Sequence, residues 1–317
     1  MQIVYVAGGA GFIGSHLCKK LLQDGYQVIC IDNFLTSSKK NIEDLFENSA
    51  FQFVQADITQ VLPADLPKPD FIFHLASPAS PNNKSPRSYI SYPVETLLAN
   101  SLGTYLLLEL AKKSNARFLF ASTSEIYGDP EISPQPESYW GNVNPVGVRS
   151  VYDEGKRFGE AMTMAYLRKY DVDTRLVRIF NTYGPKMEVD DGRVVSNFIV
   201  QALQREPLTV FGDGSQTRSF CYVSDLVEGL ATFMFEDSLK GEIINLGNPS
   251  EYTILEFAKK IKEITGTSSE IEFKELPEDD PKQRRPDITK AKKLLHWEAK
   301  VGLEEGLQKT IQYFKNS

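Results

Sequence analysis

The glycine-rich start of the chain constrains the fold more than any other feature. Residues 3–7 are apolar and partly β-branched, which predicts a buried parallel strand. The glycines that follow match G-x-G-x-x-G through Gly9, Gly11 and Gly14, and G-x-x-G-x-x-G when Gly8 replaces Gly9; residues 15–24 then show helical spacing. This order predicts a dinucleotide-binding unit whose helix N-terminus attracts a pyrophosphate, although a glycine turn also packs helices on sheets without a ligand.

The second predicted strand indicates which dinucleotide is bound. Residues 28–31 form an apolar run that ends in Asp32. A carboxylate there accepts hydrogen bonds from the adenosine ribose hydroxyls and repels a 2′-phosphate, so we expect NAD rather than NADP. Asp57 and Ile58 either flank the adenine or form a plain loop. The residues expected to bind the cofactor are Gly8, Gly11, Phe12, Ile13, Gly14, Asp32, Asn33, Asp57, Ile58, Leu75, Ala76, Tyr152 and Lys156.

Strand-like and helical segments alternate through the first half of the chain. Strands are predicted at residues 51–54, 71–75, 117–121 and 174–179, with a helix at residues 93–113. This alternation predicts the α/β class, with a Rossmann-type doubly wound parallel sheet covered by helices on both faces. We expect residues 1–180 to form the NAD-binding domain. Residues 181–317 are expected to form mainly a smaller, interleaved substrate-binding lobe, with elements near 208–245 returning to the first domain.

Composition excludes several classes of partner and site. The 317 residues carry a net charge of −7 without a basic run, which argues against nucleic acid as the main partner. No stretch is long and apolar enough to span a membrane, and the first residues lack a signal-peptide pattern. Three cysteines without C-x-x-C spacing predict buried thiols in a cytoplasmic protein. Three scattered histidines form no grouping suited to a metal ion.

Two segments in the middle of the chain carry groups that suit the oxidation of an alcohol. Residues 122–128 are Ser-Thr-Ser-Glu-Ile-Tyr-Gly, and Tyr152 lies one helical turn before Lys156. Tyrosine removes an alcohol proton only as phenolate, so near neutral pH its pKa must fall by about three units from about 10. The Lys156 ammonium and a positive nicotinamide ring are expected to lower this pKa. Thr123 or Ser124 is expected to hold the substrate oxygen.

Longer motifs narrow the range of protein families that the chain resembles. They include His-Leu-Ala-Ser-Pro-Ala-Ser-Pro at residues 74–81, and further segments at residues 121–130, 139–145, 152–157, 178–185, 191–198 and 216–220. Together with the glycine loop, these segments resemble the extended short-chain dehydrogenase/reductase superfamily. Within that superfamily the chain is similar to the UDP-glucuronate decarboxylases, also called UDP-xylose synthases, over essentially its whole length.

The resemblance implies a complete reaction. Oxidation of the C4 hydroxyl of UDP-glucuronate makes a β-keto acid, which loses CO2; protonation at C5 and reduction at C4 then give UDP-xylose with NAD recycled. By resemblance Tyr152 is the base, and Lys156 lowers its pKa and holds the nicotinamide ribose. Thr123 and Ser124 would bind near the C4 oxygen or the carboxylate. Glu125 would lie near C5, where it either disfavours the substrate carboxylate or positions the protonating water.

The resemblance also implies charged contacts for the substrate. Arg284 would reach the sugar ring or its carboxylate, with the neighbouring Arg285 as the competing choice. The diphosphate and the uridine ribose require cationic and amide donors, and arginine suits the geometry of phosphate. Asp225 is a weaker candidate for this end of the site. The expected substrate-binding residues are Asn181, Arg193, Gln216, Arg218 and Arg284, although Arg193 and Arg218 would also suit surface ion pairs.

Other functions remain open from the sequence. A nucleotide-sugar 4-epimerase of the same fold needs no glutamate at position 125. A 4,6-dehydratase is expected to carry an Asp-Glu pair where this chain has Ser124 and Glu125. A non-catalytic NAD-sensing regulator is the third alternative, and the intact Tyr152 and Lys156 argue against it.

Two expectations concern the surface. By resemblance, the helices that begin near Pro93 and Tyr152 pair with those of a second copy, so we expect a homodimer. The loop at residues 82–92 is longer than the family usually has and borders the active site. It is therefore the region in which local substrate contacts, or a lid, are expected to differ from those of relatives.

Overall fold

Parallel strands form the centre of the protein. The computed structural model describes residues 1–82, 85–275 and 283–316. In chain order the strands are β1 (Ile3–Ala7), β2 (Gln27–Asp32), β3 (Phe51–Gln55), β4 (Phe71–His74), β5 (Arg117–Thr123), β6 (Thr174–Ile179), β7 (Thr182–Tyr183), β8 (Leu208–Phe211), β9 (Thr217–Ser219), β10 (Cys221–Tyr222), β11 (Ile243–Leu246), β12 (Glu251–Thr253), β13 (Ile271–Lys274) and β14 (Gln283–Arg284). The α-helices are α1 (Phe12–Gln23), α2 (Pro93–Leu98), α3 (Thr104–Ser114), α4 (Ser150–Tyr170), α5 (Val194–Gln204), α6 (Val223–Phe235), α7 (Ile254–Thr265), α8 (Thr289–Leu295) and α9 (Leu303–Lys315).

Within the described ranges, seven of the strands form one parallel sheet. Its order is β11-β6-β5-β4-β1-β2-β3, and every neighbouring pair is parallel. The chain builds outward from β1 to β3 and then crosses back to β4, so a switch point lies between β1 and β4. Ligands of such sheets bind outside the carboxyl ends of the strands at this point. The predicted Rossmann-type doubly wound sheet is confirmed.

Alternating side chains of β1 enter two separate hydrophobic clusters. Val4 and Val6 pack with residues of α1 and α6 on one face of the sheet. Tyr5 and Ala7 pack with residues of α3 and α4 on the other face. Helices on both faces bury the strands, which explains why the strands are nearly continuous apolar runs. None of the helices in the described ranges is long and apolar enough to cross a membrane.

The helix predicted at residues 93–113 is interrupted in the structure. A π-helical turn, Ala99–Gly103, joins α2 to α3. Within this turn the amide of Asn100 donates to Ser77 Oγ at 2.8 Å and to the carbonyl of Thr96 at 2.9 Å. Such turns often occur at functional sites, and here one directs a polar side chain to the segment that follows β4. A regular 3.6-residue pattern does not predict it.

The smaller lobe contains short sheets but shares its core with the larger one. β8 pairs with β13, β9 pairs with β12 and β14, and β7 pairs with β10. β11 joins the main sheet beside β6, whereas β8 lies outside that sheet. One hydrophobic cluster continues from β1 through α6 to α7 and α9. The division of the chain into two domains near residue 180 remains a prediction.

Candidate active site

A cavity of about 1120 Å³ lies at the carboxyl ends of the main strands. This volume exceeds that of most pockets for a single small ligand, and it suits a cofactor beside a substrate. The main sheet, the N-terminal part of α4 and the smaller lobe all contribute to its walls. All but two of the residues considered for binding or catalysis, Asp225 and Arg285, line it: Gly8, Gly11, Phe12, Ile13, Gly14, Asp32, Asn33, Asp57, Ile58, Leu75, Ala76, Thr123, Ser124, Glu125, Tyr152, Lys156, Asn181, Arg193, Gln216, Arg218 and Arg284.

The glycine loop brings the backbone of α1 close to the sheet. Gly8 has φ of +81°, and a Cβ added to it would lie 2.6 Å from the backbone nitrogen of Ala76. A Cβ on Gly14 would overlap the carbonyl oxygen of Gly8. α1 begins at Phe12, earlier than the predicted start at Ser15, and no side chain caps its N-terminus. Its first N–H groups are therefore available to an anionic group in the cavity, as a pyrophosphate requires.

Asp32 at the end of β2 lines the cavity and is held by hydrogen bonds from the protein. Its carboxylate accepts from Ala10 N at 3.0 Å, Phe34 N at 2.9 Å and Ser37 Oγ at 2.7 Å. A carboxylate offers about four acceptor positions, and the backbone of Asn33 also donates to it, so a ribose hydroxyl would share the carboxylate with these protein donors. Burial raises the pKa of Asp32, and these hydrogen bonds oppose the increase. The uncapped helix, the glycine contacts and this carboxylate fit NAD.

Tyr152 and Lys156 lie on one face of α4, as their spacing predicts. Both are buried, and Lys156 Nζ lies 5.7 Å from the centroid of the Tyr152 ring. Lys156 Nζ donates a hydrogen bond to the carbonyl of Ala121 at 2.8 Å. Thr123 ends β5 at the same place, and its Oγ1 accepts from Glu125 N at 3.2 Å. A phenol, an ammonium and a hydroxyl thus meet where β5 ends.

The pKa of Tyr152 is raised in the protein alone. Burial, and then the negative charge of Glu125, raise the pKa of Tyr152, while a hydrogen bond with Thr123 opposes them. Burial also lowers the pKa of Lys156 to about 7, and Glu160 opposes this decrease only in part. At neutral pH Lys156 is therefore only partly charged. The expectation that Lys156 and the positive nicotinamide ring together lower the pKa of Tyr152 stays a prediction for the protein with NAD bound.

Two arginines converge on Glu125. Arg284 makes a two-pronged contact with the Glu125 carboxylate, of which Nη2 to Oε2 is 2.9 Å. Arg149 Nη2 lies 2.6 Å from the same Oε2. Burial raises the pKa of Glu125, but Arg149 and Arg284 outweigh it and lower this pKa to about 2. Glu125 is therefore ionised at neutral pH.

The structure distinguishes Arg284 from its neighbour. Arg284 lines the cavity with only 5% of its side chain exposed. The Arg285 side chain is 42% exposed, and its Nη1 lies 3.5 Å from Glu251 Oε2. Alternation along the β14 segment sends the two side chains in different directions. Arg284, not Arg285, is the arginine that faces Glu125.

Two residues of this cavity were missed from the sequence. Arg149 lies three positions before Tyr152, at the N-cap of α4, so helical spacing from the tyrosine is the signal that points to it. Tyr89 stacks on Tyr152 with ring centroids 5.0 Å apart and planes 7° apart. Its hydroxyl is buried and has no hydrogen-bond partner among the described residues. Nothing in the local pattern around Tyr89 predicts this stacking.

The residues predicted for the nucleotide end are already engaged with protein groups. Arg193 pairs with Asp191 through Nε to Oδ1 at 2.5 Å and Nη2 to Oδ2 at 2.7 Å. Arg218 is buried and donates to the carbonyl of Thr217 at 2.9 Å, and Gln216 donates to the carbonyl of Phe211 at 2.7 Å. Asn181 lines the cavity at the exit of β6.

Asp225, the weaker candidate, has a structural role. Its carboxylate accepts from the backbone nitrogens of Lys300 and Val301, at 2.9 and 2.8 Å. It does not contribute to the cavity wall among the described residues. These two hydrogen bonds hold the segment before α9, so the suggestion that Asp225 binds substrate gains no support from its position.

The chain is similar to known proteins over nearly its whole length. The NAD dependent epimerase/dehydratase family matches residues 4–247. UDP-glucuronic acid decarboxylase 1 of Danio rerio is 54% identical over 98% of this chain and 72% of its own length. UDP-glucuronic acid decarboxylase 5 of Arabidopsis thaliana is 53% identical over 96% of this chain and 86% of its own.

Solved structures agree with the fold and the cofactor. UDP-glucuronic acid 4-epimerase from Bacillus cereus, in complex with UDP-glucuronic acid and NAD, has a TM-score of 0.88 at 32% identity and covers 99% of each chain. UDP-glucose 4-epimerase from Thermotoga maritima, with UDP-glucose, has a TM-score of 0.88 at 31% identity over 99% of each chain. The chain belongs to the NAD-dependent epimerase/dehydratase family and, within it, to the UDP-glucuronic acid decarboxylases.

Proposed function

We propose that the protein converts UDP-glucuronate to UDP-xylose and CO2 through a 4-keto intermediate, with NAD recycled. The observation that carries this proposal is the convergence of Arg149 and Arg284 on Glu125, in the cavity that contains Tyr152. Two guanidinium groups and one carboxylate carry a net charge of +1 among themselves, and burial raises the pKa of the nearby Asp153 to about 7, so that Asp153 cancels this charge only in part at neutral pH. That charge favours a substrate carboxylate close to the group that takes the C4 proton. The decarboxylase relatives support the same reaction.

The chemistry follows from where the side chains lie. NAD, when bound, supplies the oxidant for C4 and the reductant for the 4-ketone. Tyr152 takes the proton of the C4 hydroxyl, and Thr123 beside it holds the oxygen. The resulting β-keto acid breaks its C5–carboxylate bond, CO2 leaves, and the electron pair passes to the C4 oxygen as an enolate. A proton is then added at C5, and Tyr152 returns its proton to the C4 oxygen.

Glu125 acts in this scheme as an anion. Because its pKa is about 2, it holds no proton to donate to C5 near neutral pH. Its contacts instead fix the two guanidinium groups and leave it able to orient a water molecule that protonates C5. Repulsion of the substrate carboxylate by Glu125 is offset by the two arginines.

The cofactor is assigned to the half of the cavity formed by β1, β2 and α1. The N-terminus of α1 would hold the pyrophosphate, Asp32 would accept from the adenosine ribose, and Asp57 and Ile58 would flank the adenine. Lys156 is assigned to the nicotinamide ribose. Asn181, Arg193, Gln216 and Arg218 are assigned to the nucleotide end of the substrate, where Arg193 would exchange part of its pairing with Asp191 for phosphate.

Incubation of the purified protein with UDP-glucuronate and catalytic NAD tests the proposal. Release of CO2 with UDP-xylose, detected by mass spectrometry, and without net NADH is the expected result. NADH together with a 4-keto pentose would mean that the final reduction is absent. Conversion of UDP-glucose or UDP-galactose without CO2 would contradict the proposal.

A second candidate is 4-epimerisation of UDP-glucuronate. The observation in its favour is the B. cereus epimerase, which has the same fold and whose structure contains UDP-glucuronic acid and NAD. An epimerase must retain the carboxylate, so UDP-galacturonate without CO2 would be its product. The same incubation therefore separates the two reactions.

The proposal also includes the oligomeric state and the compartment: a homodimer in the cytoplasm. The surface of α2, the π turn, α3 and α4 exposes large apolar side chains, as expected for a face that pairs with a second copy: Val94, Leu97, Leu98, Leu102, Tyr105 and Phe158. Light scattering should give a mass of twice the 35.7 kDa of one chain. Leu102→Glu should lower the measured mass towards that of a monomer. The three free, buried cysteines support a reducing compartment.

A further inference from the structure

Residues 85–92, here called the strap, form an ordered segment against the cavity. Tyr89 N and Ser88 Oγ both bind the carbonyl of Ser80, at 3.1 and 2.9 Å. Ser91 Oγ binds the carbonyl of Ser85 at 2.8 Å. Tyr89 also stacks on Tyr152. The strap is thus fixed to the part of the cavity that contains Tyr152, here called the catalytic half.

Arg87 connects the strap to two other parts of the cavity wall. Its Nη1 donates to the carbonyl of Thr36 at 3.1 Å. The same guanidinium lies 3.5 Å from Glu188 Oε1 and 3.5 Å from Asp190 Oδ1. Thr36 precedes Ser37, which binds Asp32 in the cofactor half. One side chain therefore joins the cofactor half to the loop at residues 186–193, on the substrate side.

Opposite charges explain why Arg87 contacts the loop at residues 186–193. Glu188, Asp190 and Asp191 lie together in one loop, and Asp191 is paired with Arg193. Arg87 is the cation within 4 Å of the other two carboxylates in the described part of the chain. Burial raises the pKa of Glu188, Arg87 opposes this increase, and the neighbouring Asp190 and Asp191 add to it. Loss of Arg87 would leave two carboxylates to repel each other and would remove the attachment of the strap to Thr36 and to this loop, while its contacts with Ser80 and Tyr152 remain.

We infer that Arg87 is a positioning residue that fastens the strap across the cavity and retains NAD between the oxidation and reduction steps. The inference rests on the proposed function, because recycling requires that the reduced cofactor stays until C4 is reduced. A closed segment over a cofactor slows its release without contacting the reacting atoms. Arg87 would then affect cofactor dissociation and product distribution more than the rate of C4 oxidation.

Exchange of labelled NAD measures retention directly and needs no substrate. The holoprotein is loaded with radiolabelled NAD, diluted into excess unlabelled NAD, and sampled for retained label. For Arg87→Ala we expect label loss about 5- to 30-fold faster than in the unaltered protein, as for loss of several partly exposed charged contacts. Lys260→Ala is the matched control: Lys260 is 32% exposed against 33% for Arg87, and it also pairs with two carboxylates, Glu263 and Glu304.

Two further measurements separate positioning from other roles. With UDP-glucuronate, Arg87→Ala should release more NADH and 4-keto pentose per UDP-xylose formed, while the initial rate of C4 oxidation changes less than threefold, or about 0.6 kcal/mol. The double variant Glu188→Gln, Asp190→Asn should accelerate label loss in the same way. Unchanged label loss in both variants would overturn the inference, as would a raised KM for UDP-glucuronate with normal NAD exchange. Failure of the unaltered protein to make UDP-xylose would overturn the proposed function and leave the exchange result to stand alone.

Discussion

The two halves of the cavity are built by different means. The cofactor half uses backbone: glycines that permit close approach, an uncapped helix and one carboxylate at the end of β2. The catalytic half uses charged side chains that the fold buries together, with Glu125 and Arg284 159 positions apart in the chain. The first half is thus specified locally, whereas the second exists only after long-range folding. This difference predicts that substitutions in the two halves will fail in different ways.

The largest expected effect separates chemistry from cofactor binding. Tyr152→Phe removes the proton acceptor, so kcat should fall by about 10²- to 10⁴-fold. The glycine loop is untouched, and retention of labelled NAD should stay within about twofold of normal, since mutations without shared contacts act independently. Tyr166→Phe is the control, because Tyr166 lies on the same helix and its hydroxyl contacts Glu109. Loss of NAD from the Tyr152 variant would show that the two halves are not separable.

Adjacent arginines provide the second test. Arg284→Ala should reduce CO2 release by about 10²-fold, because it removes a buried charge that faces Glu125, whereas Arg285→Ala should change it by less than about threefold. Arg284→Lys is included since loss of one partner of a buried pair destabilises the fold, and melting curves report that cost separately. A larger loss for Arg285→Ala would reverse the assignment made from the orientation of β14.

A glycine pair tests the cofactor half. Gly14→Ala places a methyl group against the carbonyl of Gly8 and should weaken NAD binding by about 10-fold or more, in keeping with the cost of overpacking. Gly302→Ala, where no atom lies within 4 Å of an added Cβ, should leave NAD binding unchanged. Titration of the cofactor-free protein with NAD measures both. Equal affinities would mean that the loop relaxes and that its glycines matter less than the contacts indicate.

The sequence predicts the cofactor half well because its determinants are consecutive. A strand, a glycine loop, a helix and an acidic residue at the next strand end all lie within residues 3–32, and alternating apolar runs indicate the sheet. The resemblance of the motifs supplies the reaction and names Glu125 and Arg284. It does not supply the contact between them, because no local pattern specifies which distant side chains meet.

The features that the sequence does not predict arise from burial and from contacts between distant parts of the chain. In the protein without NAD the pKa of Tyr152 is raised, because α4 buries the phenol beside Glu125. The π turn at Ala99–Gly103 depends on tertiary contacts such as that between Asn100 and Ser77. The ion pair of Arg149 with Glu125 required the fold to bring the end of β5 against the start of α4.

The smallest expected effect concerns stability in the catalytic half. Lys156 has a folded pKa of about 7, against about 10.4 in the unfolded chain. Between these values the unfolded chain binds more protons, so this group makes the folded protein more stable as pH rises, and it destabilises most fully below pH 7. From pH 7 to pH 9 the gain is about 2 kcal/mol. The Lys156→Met variant has no titrating group at this position, so its stability should not show this gain.

Melting of the cofactor-free protein at both pH values checks this prediction. Lys156→Met should melt above the unaltered protein at pH 7, and for a chain of 317 residues the difference should shrink by about 3 °C at pH 9. Lys260→Met, at a surface pair, should show no such convergence. If the two melting curves stayed parallel, the Lys156 ammonium would not be under strain in the protein alone. The catalytic half would then bury its charged groups without a cost in stability, as the cofactor half does. The two halves would differ only in how far apart their residues lie in the sequence.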